Sequence, residues 1–364
     1  MPVSYEPLNV NTDVTNTKTI LHEVIPLTGT IVSGTYSDEN IKNYTHGMFQ
    51  SVYDYPYLSS SANHIFDISV GYDESSTLSA STNVQNNKKI NMYNQFAQVL
   101  LGYTGSNNTV RLFEDDLLLD NVGTMQDVFV VSFSRLLTKD QIKKGTFSLE
   151  LGRGAWATAH STTITLQDLK ASTSGDGTLS TIGGDYGVLF DSTSSEGNNA
   201  ANTSSYGVVF YQAGIAILSS SIWDTAITLP GYNQFSSGSY LSGGAGNMTP
   251  LACSASIATS SISGTCDALR HRITNLTFNN STEINSTIYF CRLPVNKFNY
   301  STNPTYTSGS KIRVKNNASD LPVAYASTVG LYNAQNELLA VAKLSEPLKK
   351  TPQNELTIRV RLDY

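Results

Sequence analysis

Charge is scarce in this 364-residue chain, with only 14% of its residues Asp, Glu, Lys or Arg, against roughly a quarter in ordinary soluble domains. The net charge of −6 offers no basic footprint for nucleic acid. No run of 18 apolar residues occurs, so no membrane-spanning helix is expected. The opening MPVSYEPLNVNTDV has neither a basic start nor an apolar core, and reads as no signal peptide. Three cysteines, Cys253, Cys266 and Cys291, make an odd set with no CxxC pair. That pattern fits thiols kept in a reducing cytosol, with one Cys253–Cys266 bridge as the alternative.

Catalytic and cofactor signatures are also missing. The five histidines, His22, His46, His64, His160 and His271, show no metal spacing such as HExxH. There is no GxSxG, no Walker loop and no dinucleotide fingerprint. Glu114-Asp115-Asp116 has no second acidic cluster to form an acid–base pair with, and reads as a solvated loop. Ser174–Thr178 (SGDGT) lacks the repeated aspartates and closing Glu of a calcium loop, and reads as a turn. Asn-x-Ser/Thr sequons such as Asn43, Asn107 and Asn275 arise by chance in so Asn-, Ser- and Thr-rich a chain, and glycosylation is set aside. No cofactor, no metal and no catalytic residue is expected.

What fills the gap is Ser, Thr, Asn, Gly and tyrosine, the last numbering 20 against 13 Phe. This is the composition of extracellular or virion β-proteins. Strand signals are frequent. Leu356, Ile358, Val360, Leu362 and Tyr364 alternate with Thr357, Arg359, Arg361 and Asp363, which marks a half-buried strand paired into a sheet of this subunit or of a neighbour. Ser327–Tyr332 and Leu338–Leu344 flank the polar turn Asn333–Asn336 as a hairpin, and Pro347 and Pro352 bracket a loop carrying Lys349 and Lys350. Thr28–Tyr36, His64–Tyr72, Asp127–Arg135, Thr146–Leu151 and Thr162–Leu166 also read as strands. So do the pair Tyr206–Tyr211 and Ile215–Leu218, turning at Ala213-Gly214, and the pair Arg272–Phe278 and Glu283–Leu293, turning on Asn279–Thr282. Lys88–Gly102 is a helix, with Ile90, Tyr93, Phe96, Ala97, Leu100 and Leu101 on one face and Gly102 as its stop. A short helix is expected from Thr138, a capping box with Gln141, to Gly145.

The fold class is therefore mainly β: antiparallel sheets or a sandwich, with a few short helices and a Ser/Gly-rich insertion. The chain divides into an extended arm (1–26), a β-rich domain (27–170), a Ser/Gly/Thr-rich middle (171–270) with an exposed insertion at about 230–265, and a C-terminal β domain (271–364). The aromatic stretch 43–61 reads as an interface loop around Pro56, ahead of a sugar-stacking platform. The interface candidates are Tyr53, Tyr55 and Tyr57 in that loop, and Leu356, Ile358, Val360, Leu362 and Tyr364 in the terminal strand.

Six stretches, in order, resemble structural proteins of contractile-tailed bacteriophages, T4-like cyanophages especially. They are HIFDISVGY (64–72), KINMYNQFAQVLLG (89–102), SFSRLLTKDQIKKGTFSLELG (132–152), YGVVFYQAGIAIL (206–218), FNYSTNPTY (298–306) and TVGLYNAQNELLAVAKLSEPLKK (328–350). Together they cover about a quarter of the chain. The resemblance implies a non-enzymatic virion protein of the tail, similar to a baseplate wedge subunit and assembled in the host cytoplasm. It also implies partners: other tail and baseplate proteins, and further copies as a homodimer or within a sixfold assembly, with no nucleic acid and no membrane. The alternatives are a receptor-binding fibre or adhesin that recognises a host glycan, and a polysaccharide-degrading enzyme, which would need a carboxylate pair. The first prediction follows: the purified chain releases no reducing ends from host polysaccharide. Release that disappears on changing Glu114, Asp115 or Asp116 would overturn it.

Overall fold

The computed structural model describes residues 5–23, 38–104, 109–116, 122–152, 163–172, 179–192, 205–224, 253–300, 307–308, 311–312, 317, 319 and 321–364. Strands make up 47% of the structure and helices 16%, so the protein is mainly β with antiparallel sheets and few, short helices. The contacts split the chain into two units. The smaller joins Met1–Leu21 to Glu283–Tyr364, and the larger is His22–Thr282. That division differs from the four consecutive blocks expected, because the first strand, β1 (Val14–Glu23), finds its partner near the other end of the sequence. The segment expected as an extended arm thus contains a paired strand. The strand expected at Thr28–Tyr36 and most of the Ser/Gly-rich insertion lie outside the described residues.

The larger unit is built on one long antiparallel sheet. Its strands are β2 (Ile41–Asn43), β3 (Gln50–Tyr53), β4 (His64–Tyr72), β5 (Asp127–Phe133), β6 (Ser148–Gly152), β7 (Thr163–Gln167), β8 (Gly184–Asp191), β9 (Ser205–Phe210), β10 (Ile215–Ser219) and β11 (Ile273–Thr277). Their order across the sheet is β11-β6-β7-β8-β9-β10-β5-β4-β3-β2, and the short strand Leu179–Thr181 adds to β8. The middle strands are apolar on both faces because both faces are covered. In β5, Phe129, Val131 and Phe133 join one core, while Val128 and Val130 join the other. In β9, Val208 and Phe210 face one way and Val209 the other.

Helix α1 (Asn86–Leu100) covers one face through Tyr93, Ala97 and Leu100. It lies so close to β4 that a Cβ on Gly71 would sit 2.7 Å from the Lys89 carbonyl and the Tyr93 nitrogen. Helices α2 (Cys253–Thr259) and α3 (Ile262–Arg270) cover the other face through Cys253, Ile257, Ile262, Cys266 and Leu269. The last part of the segment expected as an exposed insertion, 253–265, is therefore largely helical, with fully buried side chains among its residues. Its Ser-, Ala-, Gly- and Thr-rich composition looks like loop in sequence.

Two further expectations change. The residues around Thr138 form a single turn, Arg135–Thr138, closed by Lys139 at φ 56°, and Gln141–Ile142 is a strand rather than a helix. Pairing of Gln141 and Ile142 with Ser281 and Asn280 takes precedence over the capping signal. The hairpin expected at 272–293 is absent, since β11 pairs with β6 and the following strand, β12 (Asn280–Leu293), pairs elsewhere. By contrast the β9–β10 turn falls at Ala213-Gly214 as expected, with Gly214 at φ +66°.

The junction of α2 and α3 is tied to α1 by polar contacts. Lys89 is fully buried. Its Nζ donates to the carbonyls of Ile257 (2.5 Å) and Ser260 (2.8 Å), and lies 3.4 Å from that of Ala258. The Ile262 amide donates to Gln85 Oε1 at 2.8 Å, and Ser261 caps α3 by accepting from the Gly264 amide. Burial pushes Lys89 down to about 8, although the carbonyls favour its charged form. Lys89→Met removes the ammonium donor from the Ile257 and Ser260 carbonyls and should cost about 2–3 kcal/mol. Because its pKa is lowered on folding, the wild type gains stability as pH rises from about 8 towards the ordinary 10.5. The gap between wild type and Lys89→Met should widen over that range in thermal melts, and a constant gap would refute the assignment.

Candidate functional site

The smaller unit carries five of the eight interface candidates. Its sheet has the order β1-β12-β15, where β15 is Leu356–Asp363. Beside it lies the hairpin of β13 (Ala324–Tyr332) and β14 (Leu338–Lys350). The terminal strand pairs within its own chain: Leu356 with Leu293, Ile358 with Cys291, Val360 with Tyr289 and Leu362 with Thr287. Ile358 and Val360 are buried with Leu293, against the half-buried Val329, Leu331, Ala342 and Leu344 of the hairpin. These two candidates therefore form the core of the unit and are not available to a neighbour. Leu356 and Leu362 are half-buried on the same face, and Tyr364 is exposed, its hydroxyl 3.1 Å from that of Thr287.

Strand β1 is held to β12 by charge as well as by the ladder. Lys18 pairs with Glu283 at 2.6 Å and Arg292 with Asp13 at 2.9 Å. The Asn9 amide, aided by Arg292 and opposed by burial, holds the Asp13 carboxyl below its usual range. The expected loop between Pro347 and Pro352 is partly strand, since Lys349 and Lys350 pair with Tyr325 and Ala324. Pro347 sits where the register slips between Ala326 and Thr328, an irregularity that spares proline a ladder bond.

Sequence reasoning missed the outer face of this hairpin. Tyr325, Tyr332, Leu338, Leu339 and Val341 are all exposed, and Tyr5 meets the Tyr332 ring edge-on at 4.9 Å. The readable signal was the run Leu338-Leu339-Ala340-Val341, too apolar for a strand with one wet face.

The other three candidates belong to the larger unit, at the β2–β3–β4 end of its sheet. Lys42, Ser51 and Asp67 are cross-strand neighbours and so share one face. Asp67 Oδ1 accepts from Ser51 Oγ at 2.5 Å and from His64 Nε2 at 2.8 Å. Ser51 has a single proton, so once this goes to Asp67 the Tyr44 hydroxyl, 3.2 Å away, becomes the donor to Ser51. Lys42 Nζ lies 4.9 Å from the centre of the Tyr44 ring. Tyr53 stands 5.5 Å from His64 and 6.4 Å from Tyr57, ring centre to ring centre. Burial, with the neighbouring Tyr44, pushes the Tyr53 hydroxyl pKa up. Tyr55 and Tyr57 are exposed on the loop that follows β3.

That loop is pinned at its base. Asn63 donates to both carboxylate oxygens of Asp54, at 2.6 and 2.8 Å, and the Asp54 amide donates to the Asn63 carbonyl at 3.1 Å. The Tyr57 amide donates to the Glu39 carbonyl at 3.0 Å.

Of the acidic triplet expected as a solvated loop, Glu114 is instead buried on a small ladder opposite Thr124, while burial and Asp116 raise the Asp115 pKa. Among the described residues no group of three or more His, Cys, Asp or Glu could hold a metal ion, and no helix is long and apolar enough to cross a membrane. Cys253, Cys266 and Cys291 are all thiols, so the Cys253–Cys266 bridge is not formed. Burial pushes the Cys266 thiol pKa up, and its Sγ donates to the Ile68 carbonyl at 3.3 Å. No protein-family model, curated protein or solved structure matches the chain.

The β15 geometry gives the next prediction. Val360→Asp puts a carboxylate into the small core of this unit, where burial of an unpaired charge is costly. The variant should lose about 3 kcal/mol or fail to fold its smaller unit, whereas Arg359→Asp, on the wet face, should melt within a degree or two of wild type. Equal melting of the two variants would refute the burial of that face.

Proposed function

We propose that this chain is a non-enzymatic structural component of a bacteriophage tail, a wedge-like baseplate subunit that holds neighbouring tail proteins together. The observation that carries this reading is the apolar outer face of the β13–β14 hairpin, where Leu339 is 68% and Val341 57% exposed. Contiguous apolar surface of this kind marks contact sites between proteins. The hairpin is also a two-stranded sheet among the described residues, so it presents backbone groups to which a neighbour can add a strand. The same residues lie within the stretch 328–350, which carries part of the resemblance to tail proteins.

In this reading the partners are other tail and baseplate proteins together with further copies of the chain, as a homodimer or within a sixfold assembly. The protein resides in the virion and is assembled in the host cytoplasm. Low charge suits such a role, because assembled contacts are held by apolar burial worth roughly 25 cal/mol per Å².

The test is a paired substitution, Leu339→Glu with Val341→Glu. Both side chains are exposed, so the variant should melt with the wild type yet fail to co-purify with tail particles, and no copy of it should be found in a map of the virion. A double variant incorporated at full copy number would refute the role of this face. A virion map with no density for the wild-type chain would refute the tail assignment itself.

A further inference from the structure

We infer that the β2–β3–β4 end of the larger unit is a binding site for an uncharged pyranose glycan. This is a ligand role separate from assembly through the hairpin. The argument begins with polar groups. Tyr44, just after β2, Ser51 on β3, and Asp67 and His64 on β4 form one hydrogen-bonded series, and it converges on a single carboxylate oxygen, Asp67 Oδ1. Asp67 Oδ2 has no partner among the described residues, and Asp67 and His64 are each one-third exposed. A carboxylate held on one oxygen and open on the other suits the paired hydroxyls of a sugar, which donate to it. Lys42 lies beside Tyr44 with no ion-pair partner among the described residues, and can donate to ring or hydroxyl oxygens.

The aromatic rings supply the other half of the recognition. Tyr53 and Tyr57 stand next to this polar series, and Tyr57 keeps 38% of its surface exposed. A sugar's C–H face carries slight positive charge and stacks on the negative face of such a ring. A protein interface would draw on the same rings, but it favours an apolar centre depleted of charge. Here the centre is Asp67, Lys42 and His64. The rings are also fixed before any ligand arrives, since the Asp54–Asn63 clasp and the Tyr57–Glu39 bond hold the loop. Weak sugar ligands need that preorganisation, because little binding energy is left to order a mobile loop. The acidic and basic groups are balanced, and this favours a neutral glycan over a sialylated or sulfated one.

Saturation-transfer NMR on the full chain, with lactose, maltose and cellobiose as probes at millimolar concentration, tests the proposal. At least one should receive saturation from the protein, with 3′-sialyllactose receiving no more. Tyr57→Ala should weaken binding about tenfold, Asp67→Asn should do the same, and Tyr332→Ala, in the other unit, should leave it unchanged. If Asp67→Asn does not fold, the exposed Tyr57→Ala carries the test alone. No transfer to any of the three sugars would overturn the proposal, and so would undiminished transfer in Tyr57→Ala. Loss of co-assembly with tail proteins in Tyr57→Ala, without sugar binding by the wild type, would identify a protein interface and overturn it equally.

Discussion

A sheet that is apolar on both faces has to be covered twice, and the larger unit is arranged to do so. β5 sends Phe129, Val131 and Phe133 to one side and Val128 and Val130 to the other. One side needs α1 and the other needs α2 with α3. Neither cover stands alone, because the start of α1 also supplies the Lys89 donor and the Gln85 acceptor that the α2–α3 junction requires. The buried ammonium of Lys89 makes the two helical layers interdependent: loosening one side withdraws hydrogen bonds from the other.

The smaller unit meets the same demand with less material. Its sheet gathers Ile358, Val360 and Leu293 on one face, and a hairpin covers that face. This economy explains why Ile358 and Val360 are interior while the hairpin itself keeps an apolar outer surface. A two-stranded ribbon cannot have alternate residues facing a core on both sides, so apolar residues on its second face must meet solvent or a partner.

Periodicity in the sequence revealed the elements whose burial is regular. His64–Tyr72 and Leu356–Asp363 were readable because one or both faces are uniformly apolar, and α1 because its stripe repeats at helical spacing. β1 was not, since residues 15–21 are exposed throughout and leave no burial pattern to read. β12 was readable as a strand, but its pairing was not. Its partners lie far away in sequence, whereas turn chemistry speaks only of neighbours. Of the candidate glycan site, the tyrosines at 53, 55 and 57 stood out as a cluster. Asp67 and His64 did not, because only cross-strand register brings them beside Ser51 and Tyr53. The hydrophobic pattern of Leu338–Val341 was visible, but a hairpin with one buried face absorbed it.

The pairing of β1 with β12 also sets an order of events during translation. Asn16 meets Thr287 across 271 positions of sequence, and β15 follows later still. A ribosome makes β1 early and must finish the whole larger unit before β12 emerges to receive it. The larger unit can condense while the chain is still growing, but β1 meanwhile has no ladder to join. Closing so long a loop is entropically tolerable, since the cost rises only with the logarithm of length. The smaller unit is therefore completed after the larger one, since its sheet needs β12 and β15 as well as β1. Long-range pairing of this kind makes the smaller unit the later of the two to become ordered.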